Sequence, residues 1–294
     1  APELFEVGED YLLMEDMGDS QPPDETITDP MAFRFSATKL LLALREHQIR
    51  HGDLTDPNII ARDGKVAAID FSQAILFGEP PRTAKRPESD AWRLWTFIAG
   101  RPENQATRDP SRAVRRWLAV TNSKGLNCGI WKNPAGSFAG KTLLDLGCFQ
   151  GEFCAMAVAE GMKAHGVDNG GFRTGEDSIA IAQERWGEWC TFEKQNIMEL
   201  KSFKYDVVLL FSTWSYIVKD YGKGPAIELL KTIIDQCGIF FFENQLYGDG
   251  PGPEFLKTDK DVEEMLGAFG KVTALVTIPV PGRNTLRTVW KIVQ

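Results

Sequence analysis

The stretch "KTLLDLGCFQGEF", Lys141 to Phe153, decides the fold. Its apolar run has the length of a buried strand. The strand closes on an acidic residue, Asp145, and Gly147 and Gly151 then bracket a turn. Glycine at such positions accepts unusual backbone dihedrals and lets the main chain come close to a ligand. About twenty residues further on, "KAHGVDNG" reads as a second strand that ends in Asp168. An acidic side chain there is placed to accept hydrogen bonds from both hydroxyls of a ribose. The distance from Gly147 to Asp168 fits one strand–helix–strand unit.

Outward from this unit, strand and helix patterns alternate to the end of the chain. Strands are predicted at 142–146, 163–167, 190–194, 205–211, 237–243, 271–278 and 286–293, and helices at about 151–160, 175–186, 224–236 and 259–268. Such alternation predicts a mostly parallel, seven-stranded sheet covered by helices on both faces. The last two strands lie close enough in sequence to form an antiparallel edge. Upstream, "TNSKGLNCGIWKNPAGSFAG" is polar and glycine-rich, without periodicity. The domain boundary is placed there: 1–120, a linker at 121–139, and 140–294.

Two nucleotide cofactors compete for a glycine turn of this kind. Nicotinamide dinucleotides favour GxGxxG, whereas this turn is D-x-G-x-x-x-G with Gln150 where a glycine would stand. The pattern resembles the first motif of Rossmann-like S-adenosylmethionine-dependent methyltransferases. The likeness continues in order through "CTFEKQNIMEL", "YDVVLLFSTWSYI" and "CGIFFFENQ" and covers about residues 140–294. The resemblance implies a methyltransferase domain with S-adenosyl-L-methionine as cofactor. It implies binding by Asp145, Gly147, Cys148, Phe149, Gln150, Gly151, Asp168, Asn169, Asn196 and Phe211, with Asn196 beside the adenine.

Methyl transfer from a sulfonium needs alignment and desolvation more than activation. An acceptor of high pKa needs a base; a phosphate or carboxylate oxygen does not. No histidine follows His165. Glu243, at the end of the fifth strand, is the remaining candidate base. Trp214 and Tyr216 either wall an acceptor pocket or pack in the core. Arg283 and Arg287 are either anion clamps or solvated surface residues. The loop after the fourth strand lacks the Pro-Pro-aromatic stretch shared by amino-methylating nucleic-acid enzymes. The net charge of −8 and pI near 5.1 also argue against a broad grip on DNA.

The first 120 residues follow another pattern. "HGDLTDPNIIARDGKVAAIDFSQA", His51 to Ala74, sets Asp53, Asn58 and Asp70 in an order used by phosphoryl-transfer enzymes. It is preceded by "YLLME", read as a strand, and by a helix over 31–50; "SDAWRLWTFIAG" and "DPSRAVRRWLAV" read as further helices. The stretch resembles the catalytic loop and metal-binding segment of protein-kinase-like enzymes, closest to the small-molecule and atypical branches, including aminoglycoside-phosphotransferase-like enzymes. The resemblance implies a mainly helical kinase-like C-lobe. In it Asp53 would receive the proton of an attacking hydroxyl, and Asn58 and Asp70 would hold magnesium. No glycine-rich loop precedes the hinge, and the first lysine is Lys39. The smaller lobe is therefore expected to be missing. Kinase activity of this chain is not expected, and Mg-ATP would serve only with that lobe completed upstream. The chain starts at Ala1, which fits a fragment of a longer protein.

Composition bounds the rest. The 294 residues are 43% hydrophobic and 25% charged, an ordinary globular balance. Five cysteines without CxxC spacing suggest reduced thiols and a cytoplasmic setting. Apolar runs are strand-sized, well short of the roughly 20 residues of a membrane span. The expected function is methyl transfer to an oxygen of a small molecule or glycan, phosphate and carboxylate included, beside an incomplete kinase-like lobe. Two alternatives stand. One is a fragment of a bifunctional kinase–methyltransferase such as those of surface-polysaccharide synthesis, although the domain order here is reversed. The other is a non-catalytic scaffold of two degraded enzyme folds.

Overall fold

The computed structural model describes residues 4–7, 12–14, 30–51, 58–62, 65–68, 75–76, 110–121, 140–171, 177–280 and 285–294. Contacts divide the chain into two units. The first takes in Ala1–Asn104, Arg108–Val114 and Gly129–Ser137; the second takes in Gln105–Thr107, Arg115–Cys128 and Phe138–Gln294.

In the first unit, β1 (Leu4–Val7) pairs antiparallel with β2 (Leu12–Met14), the strand read in "YLLME". Helix α1 (Pro30–Glu46) follows and buries Ala37, Leu40, Leu41 and Leu44 at helical spacing. Short strands β3 (Ile49–Arg50), β4 (Ile59–Arg62), β5 (Lys65–Ala68) and β6 (Ile75–Leu76) come next; β4 pairs with β5 and β3 with β6, both antiparallel. Ser36 Oγ accepts from Val66 N at 2.7 Å and ties α1 to β5. Asn58 is buried at the start of β4. Asp53, Asp70 and the helix predicted in "SDAWRLWTFIAG" lie outside the described residues.

Helix α2 (Pro110–Thr121) matches the pattern of "DPSRAVRRWLAV", and its residues from Arg115 onward count with the second unit. That unit is built on β7 (Thr142–Leu146), α3 (Glu152–Ala159), β8 (Lys163–Asp168), α4 (Ser178–Trp186), β9 (Thr191–Lys194), β10 (Val207–Phe211), α5 (Trp214–Tyr221), α6 (Lys223–Gln236), β11 (Ile239–Glu243), α7 (Asp259–Gly267), β12 (Lys271–Pro279) and β13 (Leu286–Val293). Among the described residues these strands form one sheet of seven, in the order β12-β13-β11-β10-β7-β8-β9.

The sheet is mixed, which corrects the expectation of a mostly parallel one. β7, β8, β9, β10 and β11 pair in parallel, while β13 runs antiparallel to both β11 and β12. The reason is the short connection between the last two strands, too short for the crossover a parallel pair requires. β13 is also inserted between β11 and β12. The central strand β10, "VVLLF", is buried at every position, as a strand covered on both faces must be. Helix α6 buries Ala226, Leu229, Leu230, Ile233 and Ile234 against the sheet. Each such aliphatic side chain contributes about 1.5–3 kcal/mol of burial free energy.

Asp206 fastens the entry of β10 to that of β7. It accepts from Thr142 N at 2.8 Å and from Thr142 Oγ1 at 2.9 Å. No helix among the described residues is long and apolar enough to cross a membrane.

Candidate active site

The strand order reverses between β7 and β10: β8 and β9 lie to one side, β11 and the final pair to the other. In open α/β sheets, ligands settle outside the carboxyl ends of the strands at such a point. The turn after β7 occupies one wall of it. Gly147 and Gly151 are left-handed, with φ of 74° and 78°, and so is Phe149 between them at 51°. Space also demands glycine: a Cβ on Gly147 would lie 2.2 Å from Thr213 Oγ1, and one on Gly151 would lie 2.6 Å from the Phe192 ring.

Asp168, at the end of β8, ties the turn down. Its Oδ2 accepts from Phe149 N at 3.1 Å, and its Oδ1 accepts from Gly170 N at 2.8 Å and Ser178 Oγ at 3.2 Å. Three of the roughly four acceptor positions of a carboxylate are thereby engaged. Asp168 therefore has room for one further hydroxyl, not for the pair the sequence suggests. Asn169 is exposed, and its Oδ1 accepts from Gly171 N at 3.0 Å.

Asp145 lies beneath the turn, 2% exposed, with no hydrogen-bond partner for Oδ2. Burial raises its pKa to about 8; Asp168 and Glu152 push the same way and Arg116 opposes them. Cys148 is buried, and desolvation raises its thiol. Gln150 is turned away to α4: its Oε1 accepts from Arg185 Nη1 at 2.7 Å and its carbonyl from Trp186 Nε1 at 3.1 Å. The Gln150 side chain thus fastens the turn to α4.

Asn196 caps a short 3-10 turn, Ile197–Glu199, through Met198 N at 3.0 Å, and its Nδ2 donates to the Tyr221 hydroxyl. Phe211 is 6% exposed, edge-on to Phe153 at 5.3 Å and beneath the Arg116 guanidinium at 5.8 Å.

Opposite the glycine turn, a polar network joins the ends of β10, β11 and β13. Ser212 is left-handed with φ of 58°. Its hydroxyl donates to Glu243 Oε1 at 3.1 Å and accepts from Arg116 Nη2 and Arg287 Nη1, each at 3.0 Å. One donor and two lone pairs are all a serine hydroxyl has, so Ser212 is saturated. Glu243 is fully buried and paired with Arg116 through Oε2 and with Arg287 through Oε1, the latter at 3.4 Å. Arg287 Nε also bonds Asp249 Oδ2 at 2.6 Å. Among the described residues, two cations and two anions meet here.

Three acceptor-side expectations change. Trp214 is wholly buried, donates to Ala226 O at 3.0 Å and packs on Phe242 and Phe255; it belongs to the core. Arg287 is neither solvated nor an open clamp, because the protein's own carboxylates occupy it. Glu243 is buried and engaged by Arg116, Arg287 and Ser212. Tyr216 is 41% exposed at the head of α5. Arg283 lies outside the described residues.

Sequence reasoning passed over Arg116, Ser212, Asp249 and Tyr221. Arg116 carries a signal in hindsight: it falls on the buried face of α2 beside Trp117 and Val120, where a cation needs an internal partner. Nothing local in "FSTW" reveals the left-handed Ser212.

A seven-stranded mixed sheet with a glycine turn at its reversal point defines a methyltransferase-like α/β fold in the second unit. Among solved structures, the bifunctional kinase-methyltransferase WbdD is similar at 17% identity and a TM-score of 0.50, over 67% of this chain and 45% of that chain. At that identity the likeness is one of fold, and the chain spans about half the length of the WbdD chains it matches. Magnesium protoporphyrin IX methyltransferase from Synechocystis PCC 6803, solved with bound SAM, is similar at 15% identity and a TM-score of 0.43, over 70% of this chain and 90% of that one. In the first unit, the family model of the RIO domain matches residues 1–105. The kinase-like likeness is thus to the RIO domain and not to the aminoglycoside-phosphotransferase-like branch. No curated protein matches the chain.

Proposed function

We propose that the second unit is an S-adenosylmethionine-dependent methyltransferase acting on an oxygen of a small molecule or glycan. The observation that carries this is the left-handed turn Gly147–Gly151, hydrogen-bonded to Asp168 at the reversal point of the sheet. The residues present fit the cofactor: Gly147 and Gly151 give the turn its left-handed bends, Asp168 keeps one acceptor position, and the buried Asp145 has an oxygen without a hydrogen-bond partner. Bound there, S-adenosylmethionine would supply a methyl group activated by its sulfonium charge.

The chain's own residues would do the rest. The backbone of Gly147, Cys148, Phe149 and Gly151 would line the cofactor, Asp168 would orient its ribose, and Asn169 and Asn196 would flank the base. Arg116, Ser212 and Arg287 hold Glu243 in place. Buried and engaged by these three side chains, the Glu243 carboxylate is not presented to an acceptor, which supports one that ionises without help, such as a phosphate or carboxylate. Transfer of labelled methyl groups to a panel of sugar phosphates, carboxylates and neutral sugars, followed between pH 6 and about 9, tests this. Methylation of neutral sugars alone, with a rising alkaline limb abolished in Glu243→Gln, would reject the anionic acceptor.

A second reading is a bifunctional kinase–methyltransferase of which this chain forms part. It is favoured by the RIO-domain match over residues 1–105 and by the described activity of WbdD. Asp53 would then receive the acceptor proton, and Asn58 and Asp70 would hold the magnesium of Mg-ATP. Magnesium-dependent ATP turnover lost in Asp70→Asn would support it. Reduced thiols keep the cytoplasmic setting in this proposal.

A further inference from the structure

Tyr221 closes helix α5 with 45% of its surface exposed, yet its hydroxyl is anchored. Asn196 Nδ2 donates to it, and Asn196 is itself fixed because its Oδ1 accepts from Met198 N at 3.0 Å. The ring is therefore held at its polar tip while nearly half of the residue's surface stays open to solvent. Tyrosine buried on one side and wet on the other is well suited to contact a flat partner.

The place of the ring suggests which partner. Asn196 stands two residues beyond the end of β9, Lys194 of β9 sits opposite Asp168 of β8, and Gln195 N donates to Asp168 O at 3.0 Å. The sheet order runs β10-β7-β8-β9. A nucleoside whose ribose is taken by Asp168, with its reactive end at the β7–β10 reversal, must extend its base the other way. That direction leads past Asp168 to Asn196 and Tyr221.

On the cofactor reading given above, we propose that Tyr221 supplies an aromatic wall against the purine of the cofactor. Asn196 retains an N–H and a lone pair after its bonds to Tyr221 and Met198, so both the face and the edge of a base are served from one linked pair. The tyrosine also arrives from α5, on the opposite side of the reversal point from Asp168. A bound nucleoside would thus join the two halves of the sheet's carboxyl edge.

The test is a calorimetric titration of the full chain with S-adenosylmethionine, with the ultraviolet absorption of the adenine followed in parallel. Wild type, Tyr221→Phe and Tyr221→Leu are compared, with thermal melts as control. Wild type and Tyr221→Phe are expected to bind with adenine hypochromism. Tyr221→Leu should lose the hypochromism and bind about tenfold more weakly, within the range found for base–aromatic stacking. Its Tm should stay close to that of wild type, because Tyr221 is nearly half exposed at the last position of α5. Saturable binding without hypochromism in wild type overturns the proposal before any variant is made. So does Tyr221→Leu binding within about twofold of wild type, below the usual stacking effect. Absence of S-adenosylmethionine binding in wild type instead defeats the cofactor reading, and this inference with it.

Discussion

Asp168 bonds the glycine turn, the start of the next loop and Ser178, the first residue of α4, from one carboxylate. Asp168→Ala should therefore loosen the turn as well as remove a ribose contact. With about 1.5–3 kcal/mol for a hydrogen bond to a charged group, S-adenosylmethionine affinity should fall by roughly 10- to 100-fold. Calorimetry on the folded variant checks this, and unchanged affinity would remove Asp168 from the site. Asp145 makes a separate prediction. Its carboxyl is raised from 3.8 to about 8 in the folded chain, chiefly by burial. Between these values the unfolded state has released its proton and the folded state has not. Stability is then lost as pH rises across that window, by at most about 1.4 kcal/mol per pH unit. Asp145→Asn should melt like wild type near pH 4 and above it near pH 8; parallel melting curves at both pH values would contradict this. Gly147 and Gly151 were legible because a backbone demand writes itself into residue type at fixed spacing. Gln150 and Trp214 were not, because Arg185, Ala226 and Phe255, which decide their roles, are remote in sequence.

At the scale of elements, the corner between β10 and α5 is the part most dependent on distant partners. Ser212 holds a left-handed backbone that a non-glycine residue adopts at a cost, and three side chains from α2, β11 and β13 bond it there, with Asp249 in the loop after β11 bracing Arg287. Thr213, next in line, presses on Gly147. The network thus fixes both walls of the crevice. Arg287→Ala would leave Glu243 and Asp249 buried with a partner removed, a loss of about 3–5 kcal/mol. A Tm equal to that of wild type would show the network to be dispensable. Strand runs such as "TLLDL" and "IFFFE" announced themselves by apolar continuity. Helix α5 did not: "WSYIV" reads as strand-like by type, and only its packing of Trp214 and Ile217 into the core makes it helical. The insertion of β13 between β11 and β12 has no local signature either, since it depends on which edge of the sheet remains free.

At the scale of the whole molecule, the chain carries two units with different resemblances: a RIO-domain match over residues 1–105 and a methyltransferase-like sheet after it. Each was legible through ordered motifs, but the acceptor was not, since Arg287 proved to be engaged within the protein. The account stands or falls on cofactor binding by the second unit. Calorimetric titration of the complete 294-residue chain with S-adenosylmethionine tests it most directly. A single saturable site, weakened in Asp168→Ala, is the result predicted. A chain that melts cooperatively and yields no saturable heat with S-adenosylmethionine would contradict it.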